Sequence, residues 1–126
     1  MKEDGRDIVL VLDDDEGVRE SLKFSLELEG FAVRVCAEGR ELLTHPDLER
    51  ARCLVLDYRM PTMDGFEVLA HLAARGSGLP VILITSNVDL SLLRRAAGVG
   101  VLQVLEKPLS DSALLENIHT ALGRPH

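Results

Sequence analysis

Residues 8–30 read IVLVLDDDEGVRESLKFSLELEG. Ile8-Val9-Leu10-Val11-Leu12 is unbroken and apolar, the pattern of a strand covered on both faces. The run stops on Asp13-Asp14-Asp15-Glu16. A helical period follows at once: Val18, Leu22, Ser25 and Leu26 share one face, and Gly30 supplies the stop. A doubly covered strand leading directly into an amphipathic helix is the opening of a parallel β–α–β arrangement.

Downstream the alternation continues. Phe31 to Cys36 alternates and reads as a second, less buried strand. Glu38 to Thr44 reads as a short helix ended by Pro46. Cys53-Leu54-Val55-Leu56 is a third strand, broken after Asp57 by the turn-rich Arg59-Met60-Pro61-Thr62-Met63-Asp64-Gly65. Phe66, Leu69, Ala70, Leu72 and Ala73 give a third helix, closed by Gly76-Ser77-Gly78. Pro80 to Thr85 is a fourth strand. A fourth helix runs from Asp89 to Ala97, with Gly98 and Gly100 after it. Val101 to Leu105 is a fifth strand. The last helix runs from about Ser110 to Leu122, with Leu114, Ile118, Ala121 and Leu122 inward. The expected fold is α/β: one domain, core about residues 7–122, with a five-stranded parallel sheet and helices on both faces.

Composition limits the function. The chain has 126 residues, 21 acidic against 14 basic, for a net charge of −7. A hydrophobic fraction of 46% argues against disorder. No apolar run approaches the ~20 residues of a membrane span, and MKEDGRD has no signal-peptide core. Net acidity speaks against direct binding of nucleic acid, which wants a basic face. Cys36 and Cys53 lie in strand-like runs and read as small buried thiols. No Cys-x-x-Cys or histidine spacing suggests zinc. A cytoplasmic protein is the expectation. The charge is uneven: residues 1–64 hold 16 acids and 9 bases, residues 65–126 hold 5 of each.

In parallel sheets, sites gather at the C-terminal ends of the strands. Those ends carry Asp13-Asp14-Asp15-Glu16, Asp57, Thr85-Ser86-Asn87 and Glu106-Lys107-Pro108. Taken singly, each has a structural reading: an N-cap, a turn aspartate, a β-branched strand residue, a solvated lysine. Together they do not, because carboxylates brought to one edge repel unless a cation intervenes. Hard oxygen donors without His or Cys favour Mg²⁺, with Mn²⁺ the alternative. A divalent ion, a lysine and a hydroxyl around an aspartate suit phosphoryl transfer, with Asp57 the nucleophile that forms an aspartyl phosphate.

These segments, Leu12-Asp13-Asp14-Asp15, Asp57-Tyr58-Arg59-Met60-Pro61-Thr62-Met63-Asp64-Gly65, Ile84-Thr85-Ser86 and Glu106-Lys107-Pro108, resemble the receiver domain of two-component response regulators. The resemblance covers essentially the whole chain. It implies the flavodoxin-like or CheY-like strand order 2-1-3-4-5. It further implies that Asp57 takes a phosphoryl group from the phosphohistidine of a sensor histidine kinase. Asp14, Asp57 and the backbone carbonyl of Arg59 would ligate Mg²⁺, with Asp13 assisting through water. Lys107 would pair with a phosphate oxygen, the Lys107–Pro108 bond would be cis, and Thr85 would swing toward the phosphate. The domain would be a phosphoacceptor, not an enzyme in the ordinary sense, catalysing only its own phosphorylation and dephosphorylation.

One position departs from the family pattern. Members usually carry Tyr or Phe on strand five, three residues before the lysine; here Val104 stands there. The expectation is phosphorylation without a large aromatic rearrangement, with output through the loop after Thr85 and the fourth helix. Leu90, Leu92, Val101 or Leu102 on helix four and strand five would offer a homodimer face, against the alternative of scattered surface leucines. Three competing readings stand beside this one. A haloacid-dehalogenase-like phosphatase wants an acid where Arg59 stands. A flavodoxin-type FMN site wants a hydroxyl- or glycine-rich loop where Asp13-Asp14-Asp15-Glu16 stands. A phosphorylation-independent pseudo-receiver, a protein docking module, usually lacks one of the acids, the threonine or the lysine. Val18-Arg19-Glu20-Ser21-Leu22 and Glu106-Lys107-Pro108 resemble FixJ-type transcription regulators, which append a helix-turn-helix domain. Gly123-Arg124-Pro125-His126 reads either as a natural end or as the cut start of a linker.

Overall fold

In the computed structural model, which describes residues 5–123, the apolar runs pair as strands and the helical periods cover them. In chain order these are β1 (Ile8–Leu12), α1 (Glu16–Leu28), β2 (Ala32–Cys36), α2 (Gly39–Leu43), β3 (Cys53–Asp57), α3 (Gly65–Ala74), β4 (Val81–Thr85), α4 (Leu90–Gly98), β5 (Gln103–Glu106) and α5 (Asp111–Ala121). All pairings are parallel, in the order β2-β1-β3-β4-β5.

The period of two along a strand explains the unbroken runs. Leu10, Leu12, Leu54, Leu56 and Leu83 point to one face, under α2, α3 and α4. Val9, Val11, Val55, Ile82 and Ile84 point to the other, under α1 and α5. Both faces are therefore core, and each side chain so buried contributes roughly 1.5–3 kcal/mol. Register then aligns the strand ends: Leu12 pairs with Leu56, Asp57 with Ile84, and Thr85 with Glu106. The residues just beyond these pairs meet along one edge.

Helix ends follow local chemistry. Asp15, Asp64, Asp89 and Ser110 cap α1, α3, α4 and α5 through their side chains. Asp64 and Glu67 form a reciprocal capping box. Gly30 and Gly100, at φ 97° and 79°, take the left-handed turn that closes α1 and α4. On the edge strand β2, Arg34 Nε donates to Asp47 Oδ2 at 2.9 Å, and Arg50 pairs with the same carboxylate.

Several sequence expectations shift. α3 forms where Phe66, Leu69, Ala70, Leu72 and Ala73 place a helix, and it buries Gly65, Phe66, Val68, Leu69 and Leu72. β5 begins at Gln103, not Val101, because the Val101 N–H donates to Ala96 O (3.0 Å) in closing α4. Gly98 belongs to α4 rather than following it. A short 3-10 turn at Leu48–Arg50 has no counterpart in the apolar pattern. Leu92 is buried and cannot belong to a surface patch; Leu90 and Leu102 are exposed, joined by Leu93 and Val99. Cys36 and Cys53 are buried, and burial pushes both thiols up to about 12. Residues 124–126 of the C-terminal segment lie outside the described residues. Among the described residues no helix is long and apolar enough to cross a membrane.

Candidate functional site

Three strand ends bring the chemistry together. The turn between β1 and α1 delivers Asp13 and Asp14, the end of β3 delivers Asp57, and the turn after β5 delivers Lys107. Carboxylate oxygens of Asp13, Asp14 and Asp57 lie within 4.8 Å of one another. Lys107 Nζ stands 3.0 Å from Asp13 Oδ2 and 3.6 Å from Asp57 Oδ2. Asp13 is wholly buried and Asp57 nearly so, whereas Asp14 faces solvent. The pocket thus has a closed floor and an open rim.

The backbone fixes these positions tightly. Asp13 N–H donates to Cys36 O (3.2 Å), and Asp13 Oδ1 accepts from Asp15 N–H (2.9 Å). Arg19 Nη1 donates to the Asp13 carbonyl at 2.8 Å. Behind Asp57, the Tyr58 N–H donates to Ile84 O and the Gly65 N–H to Tyr58 O, each at 2.8 Å. A methyl at Gly65 would stand 3.1 Å from Leu83 Cδ1 and 3.2 Å from Asp57 O and Tyr58 Cα, so a side chain there would push the start of α3 from the strand end by a few tenths of an ångström. Across the sheet, Lys107 N–H donates to Thr85 O (2.8 Å), and the Lys107–Pro108 bond is cis.

Electrostatics follow from this crowding. Burial, then the neighbouring Asp13 charge, push the Asp57 carboxyl up to about 6, against the opposing pull of Lys107. Burial works against the Lys107 ammonium, yet Asp13 and Asp57 outweigh it and hold it above the ordinary lysine value. Asp13 Oδ2 accepts no well-aligned hydrogen bond, so its contact with Lys107 is ionic. Three carboxylates against one ammonium leave net negative charge in a largely buried space. A small divalent cation fits that donor set, since every available ligand is a hard oxygen.

Thr85 is buried at the end of β4, its Oγ1 accepting from the Asn87 N–H at 3.3 Å. Arg59 is exposed, and its backbone N–H steadies the Asp57 carboxylate. Val104 is half-buried, paired with Leu83 and packed on the leucine-lined core. A cleft of about 560 Å³ between α1 and the turn after β5, bordered by Asp15, Ser21, Lys107 and Pro108, adjoins the pocket. A similar cleft of about 550 Å³ at the opposite edge, by Arg52 and Arg75, holds none of these groups.

Two features escaped the sequence. Tyr58 meets Phe66 edge-on (5.4 Å), and the Arg95 guanidinium lies 4.2 Å over the Phe66 ring, linking the β3 end to α4. No spacing rule joins residues from three separate elements. Arg19 left a signal: a cation in the first turn of a helix opposes the dipole and calls for a specific partner.

The model of the response regulator receiver domain family matches residues 9–119. The chain is 41% identical over 117 residues to the transcriptional regulatory protein FixJ of Azorhizobium caulinodans, covering 92% of this chain and 55% of that protein. Among solved structures, FixJ-N superposes with a TM-score of 0.83 at 34% identity, over 100% of this chain and 98% of that one. The chemotaxis protein CheY4 of Vibrio cholerae gives a TM-score of 0.87 at 26% identity, over 94% of this chain and 100% of that one. The chain spans about half the length of the FixJ relative.

Proposed function

Because the chain belongs to the response regulator receiver domain family of two-component systems, we propose that it accepts a phosphoryl group on Asp57 from the phosphohistidine of a sensor kinase. The observation that carries the reading is the meeting of Asp13, Asp14 and Asp57 within 4.8 Å, with Lys107 Nζ 3.0 and 3.6 Å from two of them. Near neutral pH the Asp57 carboxyl, held at about 6, is mostly ionised and able to attack. An Asp57 oxygen forms the new bond to phosphorus as the bond to the imidazole nitrogen breaks. The electron pair of that bond leaves with the imidazole.

Asp14, Asp57 and the Arg59 carbonyl would hold Mg²⁺, or Mn²⁺, with Asp13 acting through water. The ion, when bound, neutralises charge on the phosphoryl oxygens. Lys107 then has a phosphoryl oxygen as its partner in place of the Asp57 carboxylate. Thr85 gives up long contacts to Asn87, 3.3 and 3.4 Å, to reach the phosphate, so its movement costs little. The domain would catalyse only its own phosphorylation and dephosphorylation.

Output would leave through the loop after Thr85 and α4, because Val104 presents no ring to rotate. Exposed Leu90 and Leu93 on α4, with Val99 and Leu102 in the segment leading to β5, support a homodimer or partner face beside α4 and β5. Transcription regulation in the cytoplasm, without direct nucleic-acid contact by this acidic domain, completes the reading. The pseudo-receiver alternative has less support, since the acids, the threonine and the lysine are all retained. The test is transfer from an autophosphorylated sensor kinase, followed by borohydride reduction and peptide mapping. Reduction at Asp57 is expected; label on any other residue would refute the assignment.

A further inference from the structure

We infer that Arg19 is a positioning residue for the acidic pocket, holding the Asp13–Asp14 backbone where both carboxylates turn toward Asp57. The inference rests on reading that pocket as a divalent-cation site.

Every polar group of Asp13 is engaged. Its N–H goes to Cys36 O (3.2 Å), Oδ1 takes the Asp15 N–H (2.9 Å), and Oδ2 faces Lys107 (3.0 Å). The remaining group, the carbonyl, belongs to the peptide that leads into Asp14. It takes a 2.8 Å bond from Arg19 Nη1. Arg19 is itself fixed, because its N–H donates to Asp15 O (3.0 Å) in the first turn of α1. The side chain therefore reaches back from a rigid helix and sets the orientation of the Asp13–Asp14 peptide.

A guanidinium here is electrostatically costly in two ways. It stands near the positive end of α1. As a fixed cation beside the pocket, it also repels a second cation that enters. Its charge is felt at the end of β2 as well, where it opposes the rise of the Cys36 thiol pKa. A residue present for its charge alone would weaken cation binding, and removing it would tighten binding. A residue present for position does the reverse: without it the Asp13–Asp14 peptide is free to turn, and the ligands must be ordered when the ion binds. The two roles predict opposite signs.

The test is calorimetric titration of the metal-free chain with Mg²⁺ alone, for wild type, Arg19→Met and Arg19→Lys, with thermal midpoints recorded in chelator. Arg19→Met is expected to weaken Mg²⁺ at least threefold, despite losing a like charge. Arg19→Lys, which can still donate to the carbonyl, is expected to recover some or all of that loss. Arg19→Met binding Mg²⁺ as tightly as wild type, or more tightly, overturns the inference, even if its midpoint falls. If wild type binds no Mg²⁺, the cation-site reading fails and takes this inference with it.

Discussion

Replacing Asp57 by asparagine is expected to stabilise the metal-free chain near neutral pH. The carboxyl is nearly buried, and its pKa rises from 3.8 in the unfolded chain to about 6 in the folded one. Folding therefore favours its protonated form. Its contribution is fully present below about pH 4, is lost as pH rises through about 6, and is flat above. At ~1.4 kcal/mol per pK unit, the shift corresponds to an upper bound of about 3 kcal/mol of destabilisation at neutral pH. Asparagine removes that penalty but also removes a partner of Lys107, 3.6 Å away. A net gain of about 1–2 kcal/mol remains. For a chain of 126 residues, that is a rise of roughly 4–8 °C in midpoint. The assay is thermal unfolding in chelator across a pH series. The gap between variant and wild type should open between about pH 4 and pH 6 and then stay constant. Saturating Mg²⁺ should close it, since ~100-fold excess over Kd adds about 2.7 kcal/mol to whichever protein binds. An Asp57→Asn midpoint equal to or below wild type near neutral pH, in chelator, would refute the crowded-carboxylate account.

Further outcomes follow from the same geometry. Lys107→Met leaves the Asp13 and Asp57 carboxylates without their ammonium, so its metal-free midpoint falls by the equivalent of about 1–3 kcal/mol, and Mg²⁺ restores most of it in thermal melts. Gly65→Ala forces a methyl to 3.2 Å from backbone at Asp57 and Tyr58; chemical denaturation should show a loss of about 1–3 kcal/mol, and calorimetry weaker Mg²⁺ binding. Asp47→Asn removes a carboxylate that Arg50 and Arg34 hold below its usual pKa. That carboxylate contributes stability above the unfolded value and loses it as pH falls, so the variant is destabilised near neutral pH and the difference shrinks in acid melts. Thr85→Ala should still take up the phosphoryl group, while hydrogen exchange in α4 no longer responds to it.

Much of this arrangement was legible in the sequence, because the signals were local. Ile8–Leu12 announced a strand with two covered faces, and the structure divides it between two cores. Once the order of units implied parallel pairing, the ends of β1, β3, β4 and β5 had to meet, and so Asp13, Asp57, Thr85 and Lys107 could be named without coordinates. What failed was non-local. Leu92 and Leu90 look alike in the sequence, but helix phase buries the first in the leucine-lined core and leaves the second exposed. The start of β5 depended on whether Val101 would pair with β4 or close α4, a competition for one N–H that periodicity does not register. Tyr58, Phe66 and Arg95 come from separate elements and meet only after packing.

Asp57 is proposed as a metal-dependent phosphoryl acceptor. Intact mass measured after incubation with a small acyl phosphate tests this assignment most directly. With Mg²⁺ present, wild type should gain a single phosphoryl group, and both chelation and Asp57→Asn should abolish the gain. Uptake that persists in Asp57→Asn, or no uptake by the folded wild-type chain from acyl phosphate or phosphorylated kinase, would contradict it.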